Sequence, residues 1–251
     1  LTSLVLLSSC ADVVKKIDTL NASATQMNTT HSKLELVFSH NISGETHPCG
    51  CRHFPLGGMP QVNGLFHQLK KNNELLYVDT GDTFFPSSNI PKSMTESLSF
   101  AANNLATGLD MLGLSYMVPG DQDFAMGVEF LNKIVENHKF KFLISNLKDE
   151  NSIKHEKYVI RKYGNATLFL VGLVNPEAIN TKENDLFLNS EMALKNIVNE
   201  LINKGYEPQN KMHRLIVLSH AGIEPDTKLA EKFPMISWII GAHSQSFLRY
   251  S

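Results

Sequence analysis

Short runs of Val, Ile, Leu and Phe alternate along this chain with amphipathic segments of ten or more residues. In the segment Met59–Lys71, apolar residues recur at i, i+3, i+4 and i+7, the spacing of one helical face: Val62, Leu65, Phe66 and Leu69. Alternation of this kind predicts βαβ units, in which helices cover a mostly parallel sheet.

The pattern predicts strands over Leu34–Ser39, Leu75–Thr80, Tyr116–Pro119, Phe140–Ser145, Leu168–Val174, Leu215–Ser219 and Trp238–Ile240. It predicts helices over Met59–Lys71, Ser93–Leu112, Gly127–Asn137, Glu191–Lys204 and Thr227–Lys232. One connection differs from the rest, because Tyr158–Lys162 and Leu168–Val174 are joined through Gly164-Asn165 and favour an antiparallel hairpin.

Composition excludes several classes of protein. Hydrophobic residues make up 42% of the 251 residues and charged residues 19%, a balance that excludes wholesale disorder and a coiled coil. Lys and Arg total 23 against 25 for Asp and Glu, so the basic excess of a groove for duplex nucleic acid is missing. The apolar runs are shorter than the roughly 20 residues of a membrane span.

The two ends of the chain differ from its body. Residues 1–10 end in an apolar stretch and Cys10, which resembles the lipobox of a bacterial lipoprotein; the alternative is a short apolar start with an incidental Cys. Residues 11–32 are rich in Asn, Ser and Thr and suit a flexible tether. We therefore expect a folded domain over residues 33–251, lipid-anchored at Cys10 to a bacterial cell envelope, with no other membrane contact. The chain stops just after an apolar run, and we expect its C-terminus to be missing.

Polar clusters follow several of the predicted strands. They are Asp79-Thr80-Gly81-Asp82, Pro119-Gly120-Asp121-Gln122-Asp123, Ser219-His220 and Gly241-Ala242-His243. Ligands bind at the carboxyl ends of strands in open α/β sheets, so these clusters predict one shared site. Carboxylates and imidazoles suit divalent Mn, Fe or Zn.

The ordered set of clusters resembles the calcineurin-like metallophosphoesterases, specifically their 5′-nucleotidase-related branch. That family carries, in order, Asp-x-His, Gly-Asp, Gly-Asn-His-Asp/Glu, a later His and Gly-His-x-His. The matching residues here are Gly81-Asp82, Gly120 to Asp123, Ser219-His220, and His243 with Gln245, and Gly57-Gly58 resembles the double glycine after the first motif. The resemblance covers about residues 34 to 245. It implies a four-layer α/β/β/α sandwich, here expected to be truncated at the C-terminus.

Several of the family's functional positions are changed. In the first motif, Asn41 stands in the place of the Asp and Ser43 in that of the His. Further along, Asp121 replaces a metal-binding Asn, Gln122 the catalytic His, and Gln245 the final His. Asp123 retains the acidic end of the third motif, a position that orients a neighbouring ligand.

The resemblance then implies that one of the family's two metal sites is retained. The first metal loses three of its four ligands at Asn41, Ser43 and Gln245. The second keeps a full set, with carboxylates at Asp82 and Asp121 and imidazoles at His220 and His243. Such a set can hold one divalent ion and leave a position for water, which favours metal-dependent hydrolysis of a small phosphorylated substrate. His40 or His47 is a possible substitute for the proton donor lost at Gln122.

The segment His47-Pro48-Cys49-Gly50-Cys51-Arg52-His53 places two Cys and two His within seven residues. Cys49 and Cys51 are able to bind a soft metal, form a reducible disulfide or supply replacement ligands for the first metal. The plainer interpretation is a tight loop with an ordinary disulfide.

Three hypotheses about function therefore remain open. The first is a nucleotidase-like metallohydrolase with one ion. The second is a catalytically inactive member that keeps the fold as a binding or envelope module. The third is a thiol or soft-metal protein centred on Cys49 and Cys51.

Overall fold

The computed structural model describes residues 33–48, 50, 57–179 and 182–246. From Lys33 onward the chain forms one compact unit. The expected leader over residues 1–10, the tether over 11–32 and the three cysteines Cys10, Cys49 and Cys51 lie outside the described residues.

The first half of the unit forms an entirely parallel sheet of four strands in the order β1-β2-β3-β4. Its strands are β1 Leu34–Ser39, β2 Glu74–Asp79, β3 Leu114–Met117 and β4 Lys141–Phe142. The helices between them are α1 Met59–Leu69, α2 Thr95–Leu112 and α3 Gly127–Asn137. Each parallel connection contains one of these helices, as the alternating pattern predicts.

The second half forms another four-stranded sheet, in the order β5-β6-β7-β8. Its strands are β5 Tyr158–Tyr163, β6 Ala166–Val174, β7 His213–His220 and β8 Ile236–Gly241, with helices α4 Ser190–Asn203 and α5 Ile223–Lys232 between them. Only β5 and β6 pair antiparallel, through a turn at residues 164–165, so the predicted hairpin is confirmed.

The side chains of β6 show how the layers stack. Leu168, Leu170 and Val174 point into the core shared with the first sheet. The alternate residues, Phe169 and Val171 among them, pack with α4 and α5 in a second core. Because successive side chains of a strand point to opposite faces, the second sheet is covered on both sides. The two sheets and their helices thus make the four-layer α/β/β/α sandwich that the sequence predicts.

One contact between the sheets explains a strand that is shorter than predicted. Residues 140–145 were expected to be extended throughout, but β4 ends at Phe142. Beyond it the chain crosses to the second sheet, where the N–H of Ser145 donates to the carbonyl of Gly172 at 2.7 Å. A Cβ at Gly172 would collide with the carbonyl oxygen of Leu143, so only glycine permits this approach.

Within the described ranges, no helix combines the length and the apolar character needed to cross a bilayer.

Candidate metal centre

The carboxyl ends of the parallel strands of both sheets lie in one region. Asp79 is in register with Ser39 and Met117 in the first sheet, and Ser219 is in register with Gly241 in the second. The loops that follow β1, β2, β3, β7 and β8 therefore start side by side. This arrangement brings together the polar clusters that lie far apart in sequence.

A buried carboxylate holds the loop after β2. Asp123 accepts hydrogen bonds from four backbone N–H groups, those of Asp82, Thr83, Phe84 and Gly120, at 2.8 to 2.9 Å. Burial is the main reason why the pKa of Asp123 is raised to about 7; the nearby carboxylates of Asp82 and Asp79 add to it, and the N–H donors oppose it. Asp123 therefore positions Asp82 through the backbone.

Asp79 supports the same loop from below. Its carboxylate accepts hydrogen bonds from the hydroxyls of Ser39 and Thr83, both at 2.5 Å, and from the N–H of Gly81 at 2.9 Å. Burial raises the pKa of Asp79 above its usual range, against the effect of these hydrogen bonds. These contacts give Asp79 a structural role, because both of its carboxylate oxygens accept hydrogen bonds from neighbouring residues of the fold.

Asp82, Asp121, His220 and His243 form what we call the ligand cluster. Each offers one nitrogen or oxygen atom, and these atoms all lie within 4.8 Å of one another. Nε2 of His220 is 3.2 Å from Oδ1 of Asp82 and 3.3 Å from Oδ1 of Asp121. Nδ1 of His243 is 3.0 Å from the same Asp121 oxygen. The four residues predicted from sequence to share a site are thus in contact.

The orientation of His220 fits a bound cation. Its Nδ1 donates to the carbonyl oxygen of Thr80 at 2.5 Å, which leaves the lone pair of a neutral ring on Nε2, towards the carboxylates. His220 Nε2 is buried and has no hydrogen-bond partner of good geometry, one of two such side-chain atoms in the described part of the chain. Together with two carboxylates and a second imidazole, this nitrogen completes a donor set that suits a divalent ion.

The charges in the ligand cluster are strongly coupled. Burial lowers the pKa of His220, but the adjacent carboxylates of Asp121 and Asp82 stabilise the protonated ring, outweigh the effect of burial and raise the pKa to about 10. Burial would raise the pKa of Asp121, but the adjacent rings of His220 and His243 outweigh the effect of burial and lower it. Without an ion, the carboxylates thus hold a proton on His220, and a divalent ion would have to displace it.

The loop after β1 runs beside the loop that carries Asp82. The N–H of Asn41 donates to the carbonyl of Gly81 at 2.8 Å, and the N–H of Ser43 to that of Asp82 at 2.9 Å. The Asn41 amide also reaches the Asp82 carboxylate, with Nδ2 3.1 Å from Oδ2. The degenerate first motif therefore lies against the ligand cluster, as the resemblance implies.

Backbone conformation marks the same positions. Among the described residues, five that are not glycine have positive φ, and each is at a metal-ligand position of the family pattern: Asn41, Ser43, Asp82, His243 and Gln245. We call Asn41, Ser43 and Gln245 the replaced positions. Left-handed backbone at Ser and Gln runs against their preference, so the loops impose it.

Gln122 lies beside the ligand cluster but makes no side-chain hydrogen bond through its amide oxygen. Its backbone N–H donates to Oδ1 of Asp82 at 3.0 Å, whereas Oε1 is buried without a partner. His40, the suggested substitute donor, has Nδ1 3.0 Å from Oδ1 of Asn41.

Sequence reasoning missed a carboxylate behind the ligand cluster. Asp226, in the first turn of α5, accepts a hydrogen bond from the hydroxyl of Ser219 at 2.6 Å. Burial raises the pKa of Asp226 to about 6. The available signal was an acidic residue six positions after His220, in the first turn of the following helix, which is too common a pattern to single out.

Comparison with known proteins identifies relatives in sequence and neighbours in structure. No family model matches the chain. It is 25% identical to the 5′-nucleotidase of Mus musculus over 232 residues, which are 88% of this chain and 37% of that protein. A 5′-nucleotidase precursor from Thermus thermophilus superposes with a TM-score of 0.69 at 23% identity, over 86% of this chain and 42% of that one. The calcineurin-like phosphoesterase YfkN of Bacillus subtilis gives 0.66 at 16% identity, over 86% and 73%.

The chain thus spans well under half the length of the first two of these proteins. The structural likeness establishes the fold. The sequence comparison shows that the similar curated proteins include 5′-nucleotidases. Both agree with the order of motifs along the chain. The chain therefore has the fold of the calcineurin-like metallophosphoesterases, and over most of its length its sequence is similar to the 5′-nucleotidases.

Proposed function

We propose that this protein is a metal-dependent phosphoester hydrolase that works with a single divalent ion. The observation that carries the proposal is the ligand cluster: Nε2 of His220, held by Thr80 on its other side, faces the carboxylates of Asp82 and Asp121 without a hydrogen-bond partner of its own. His243 completes a set of two carboxylates and two imidazoles.

The chain's own residues would each have a defined task in this reaction. Asp82, Asp121, His220 and His243 would bind the ion, which supplies Lewis acidity towards a phosphoryl oxygen and a more acidic water. Asp123 would keep the loop of Asp82 in place through its four backbone hydrogen bonds. Thr80 would fix the ring of His220.

The substrate would be a small phosphoester, with nucleotides the first class to try because the curated relatives are named 5′-nucleotidases. Gln122 cannot protonate a leaving group, since an amide has no acidic proton near neutral pH. We therefore expect activated esters to be cleaved faster than alkyl esters.

The test is metal content by elemental analysis after loading with Mn²⁺, Fe²⁺ or Zn²⁺, together with phosphate release from nucleoside monophosphates. Asp82→Asn is the main variant because Asn tolerates the left-handed backbone at this position. We expect about one ion per chain and hydrolysis in the wild type, and at least a roughly 100-fold loss of affinity in the variant.

The control Asp185→Asn removes an exposed carboxylate and should behave like the wild type. Binding of no ion, or binding that ignores Asp82, would rule out the hydrolase. That result would favour the second hypothesis, an inactive member that keeps the fold for binding, which the replaced positions also suit.

A further inference from the structure

We propose that the side-chain amide of Asn41 takes the place of the family's other metal ion, by binding the outer oxygen of Asp82 and so limiting the ligand cluster to one ion. The inference rests on the proposed function, because it assigns one oxygen of Asp82 to the proposed ion and the other to the side chain of Asn41.

The two oxygens of Asp82 face different partners. Oδ1 lies 3.2 Å from Nε2 of His220 and accepts the backbone N–H of Gln122 at 3.0 Å. Oδ2 accepts from Nδ2 of Asn41 at 3.1 Å. A neutral N–H donor thus occupies Oδ2, whereas Oδ1 is the oxygen beside His220, and a cation approaching Oδ2 from the side of Asn41 would meet the amide hydrogens.

The amide of Asn41 is held at both ends. Its oxygen lies 3.0 Å from Nδ1 of His40, which can donate to it, and this leaves the NH₂ group to face Asp82. The backbone N–H of Asn41 is bonded to Gly81, on the loop of Asp82 itself. The donor is therefore fixed in orientation as well as in position.

The backbone of the replaced positions retains the geometry of a ligand-bearing loop. Asn41, Ser43 and Gln245 have φ of 50°, 54° and 50°, close to the 56° of Asp82. Asp and His are tolerated better in this region than Ser or Gln. Ligands reintroduced at the three positions should therefore leave the loops unchanged.

The experiment is to rebuild the ligands with Asn41→Asp/Ser43→His/Gln245→His and to load wild type and variant with Mn²⁺. Elemental analysis and the electron paramagnetic resonance spectrum are the readouts, neither of which depends on activity. We expect about one isolated ion in the wild type and about two spin-coupled ions in the variant. Asn165→Asp, in an exposed turn, controls for added charge.

A single substitution guards against misfolding of the triple variant. In Asn41→Asp, two carboxylates face each other across the former hydrogen bond, so in chelator we expect Tm to fall by about 5 °C. Excess Mn²⁺ should raise Tm more in this variant than in the wild type.

The outcomes separate the inference from the proposed function. Two ions in the wild type would overturn the role of Asn41 and the single-ion form of the proposed hydrolase. One ion in both chains, or an unchanged Tm of Asn41→Asp in chelator, would overturn the role of Asn41 and leave the hydrolase standing. No ion in the wild type would overturn both.

Discussion

Asp82 and His243 in the ligand cluster have left-handed backbones, and so do Asn41, Ser43 and Gln245 at the replaced positions. At these five positions the two regions share a backbone geometry and differ in side chains. In the ligand cluster, carboxylates and imidazoles point at one another with unsatisfied capacity. At the replaced positions, the Asn41 amide donates a hydrogen bond to the carboxylate of Asp82. Loop geometry depends on backbone hydrogen bonds, whereas metal binding depends on side-chain charge, so the second can be lost while the first persists.

The largest effect should come from Asp123, the residue that holds the loop of Asp82. Asp123→Ala leaves four buried N–H groups without an acceptor, and we expect the free energy of unfolding to fall by about 3 to 5 kcal/mol. Asp110→Ala is the matched control, because that carboxylate also accepts backbone N–H groups, from Lys139 and Phe140, but is less buried. Its loss should cost about 1 kcal/mol. Urea denaturation in chelator measures both; equal costs would contradict the role given to Asp123.

The comparison between the two regions is tested directly by a pair of alanine variants. Asp121→Ala removes a member of the ligand cluster and should weaken Mn²⁺ binding by about 100- to 1000-fold. Ser43→Ala changes a replaced position whose hydroxyl makes only a 3.5 Å contact with the Asn41 carbonyl, and should change affinity less than about twofold. Isothermal titration calorimetry measures both. Similar losses would mean that the replaced positions still take part in binding.

The fold was predictable because apolar periodicity survives sequence divergence. The alternating runs predicted the parallel strands and the hairpin, and the ordered motifs predicted the sandwich. The early end of β4 was not predictable, because it depends on the contact of Ser145 with Gly172, between segments distant in sequence. The members of the ligand cluster were predictable from motif order, which reflects strand ends meeting at one edge. The contact of Asn41 with Asp82 was not, because a sequence gives no side-chain directions.

The raised pKa of Asp226 predicts a pH-dependent contribution to the stability of the fold. Its pKa is raised to about 6 from 3.8, so the folded state binds this proton more tightly than the unfolded state. Its contribution to stability is full below pH about 4 and is lost as the pH rises through 6, a decrease of about 2 to 3 kcal/mol. The charge of His220 on β7 opposes the shift and is constant in this window, because the pKa of His220 is about 10.

Asp226→Asn keeps an oxygen that can accept from Ser219 but does not titrate. The free energy of unfolding of wild type minus variant should therefore fall between pH 4 and 6, as measured by urea denaturation in chelator. A constant difference would show that the fold does not raise the pKa of Asp226.

The smallest expected effect concerns the proton donor to the leaving group, which neither region supplies. Gln122 lies against the ligand cluster through its backbone N–H to Asp82, yet its buried side-chain oxygen has no partner. Gln122→His would place an acidic N–H there, and general acid catalysis is worth roughly 10²-fold or more when well placed. Because the position has not been shaped around an imidazole, we expect about a tenfold gain in kcat.

The gain should depend on the leaving group. An alkyl phosphate expels a basic alkoxide and needs a proton, whereas p-nitrophenyl phosphate expels a stabilised phenolate and does not. Phosphate release from both esters, with wild type and Gln122→His, gives the ratio that matters. A gain confined to the alkyl ester would mean that the ligand cluster is competent and lacks only a proton donor. An equal gain on both esters would mean that the substitution acts on metal or substrate binding, and no gain on either would place the deficiency in the ligand cluster itself.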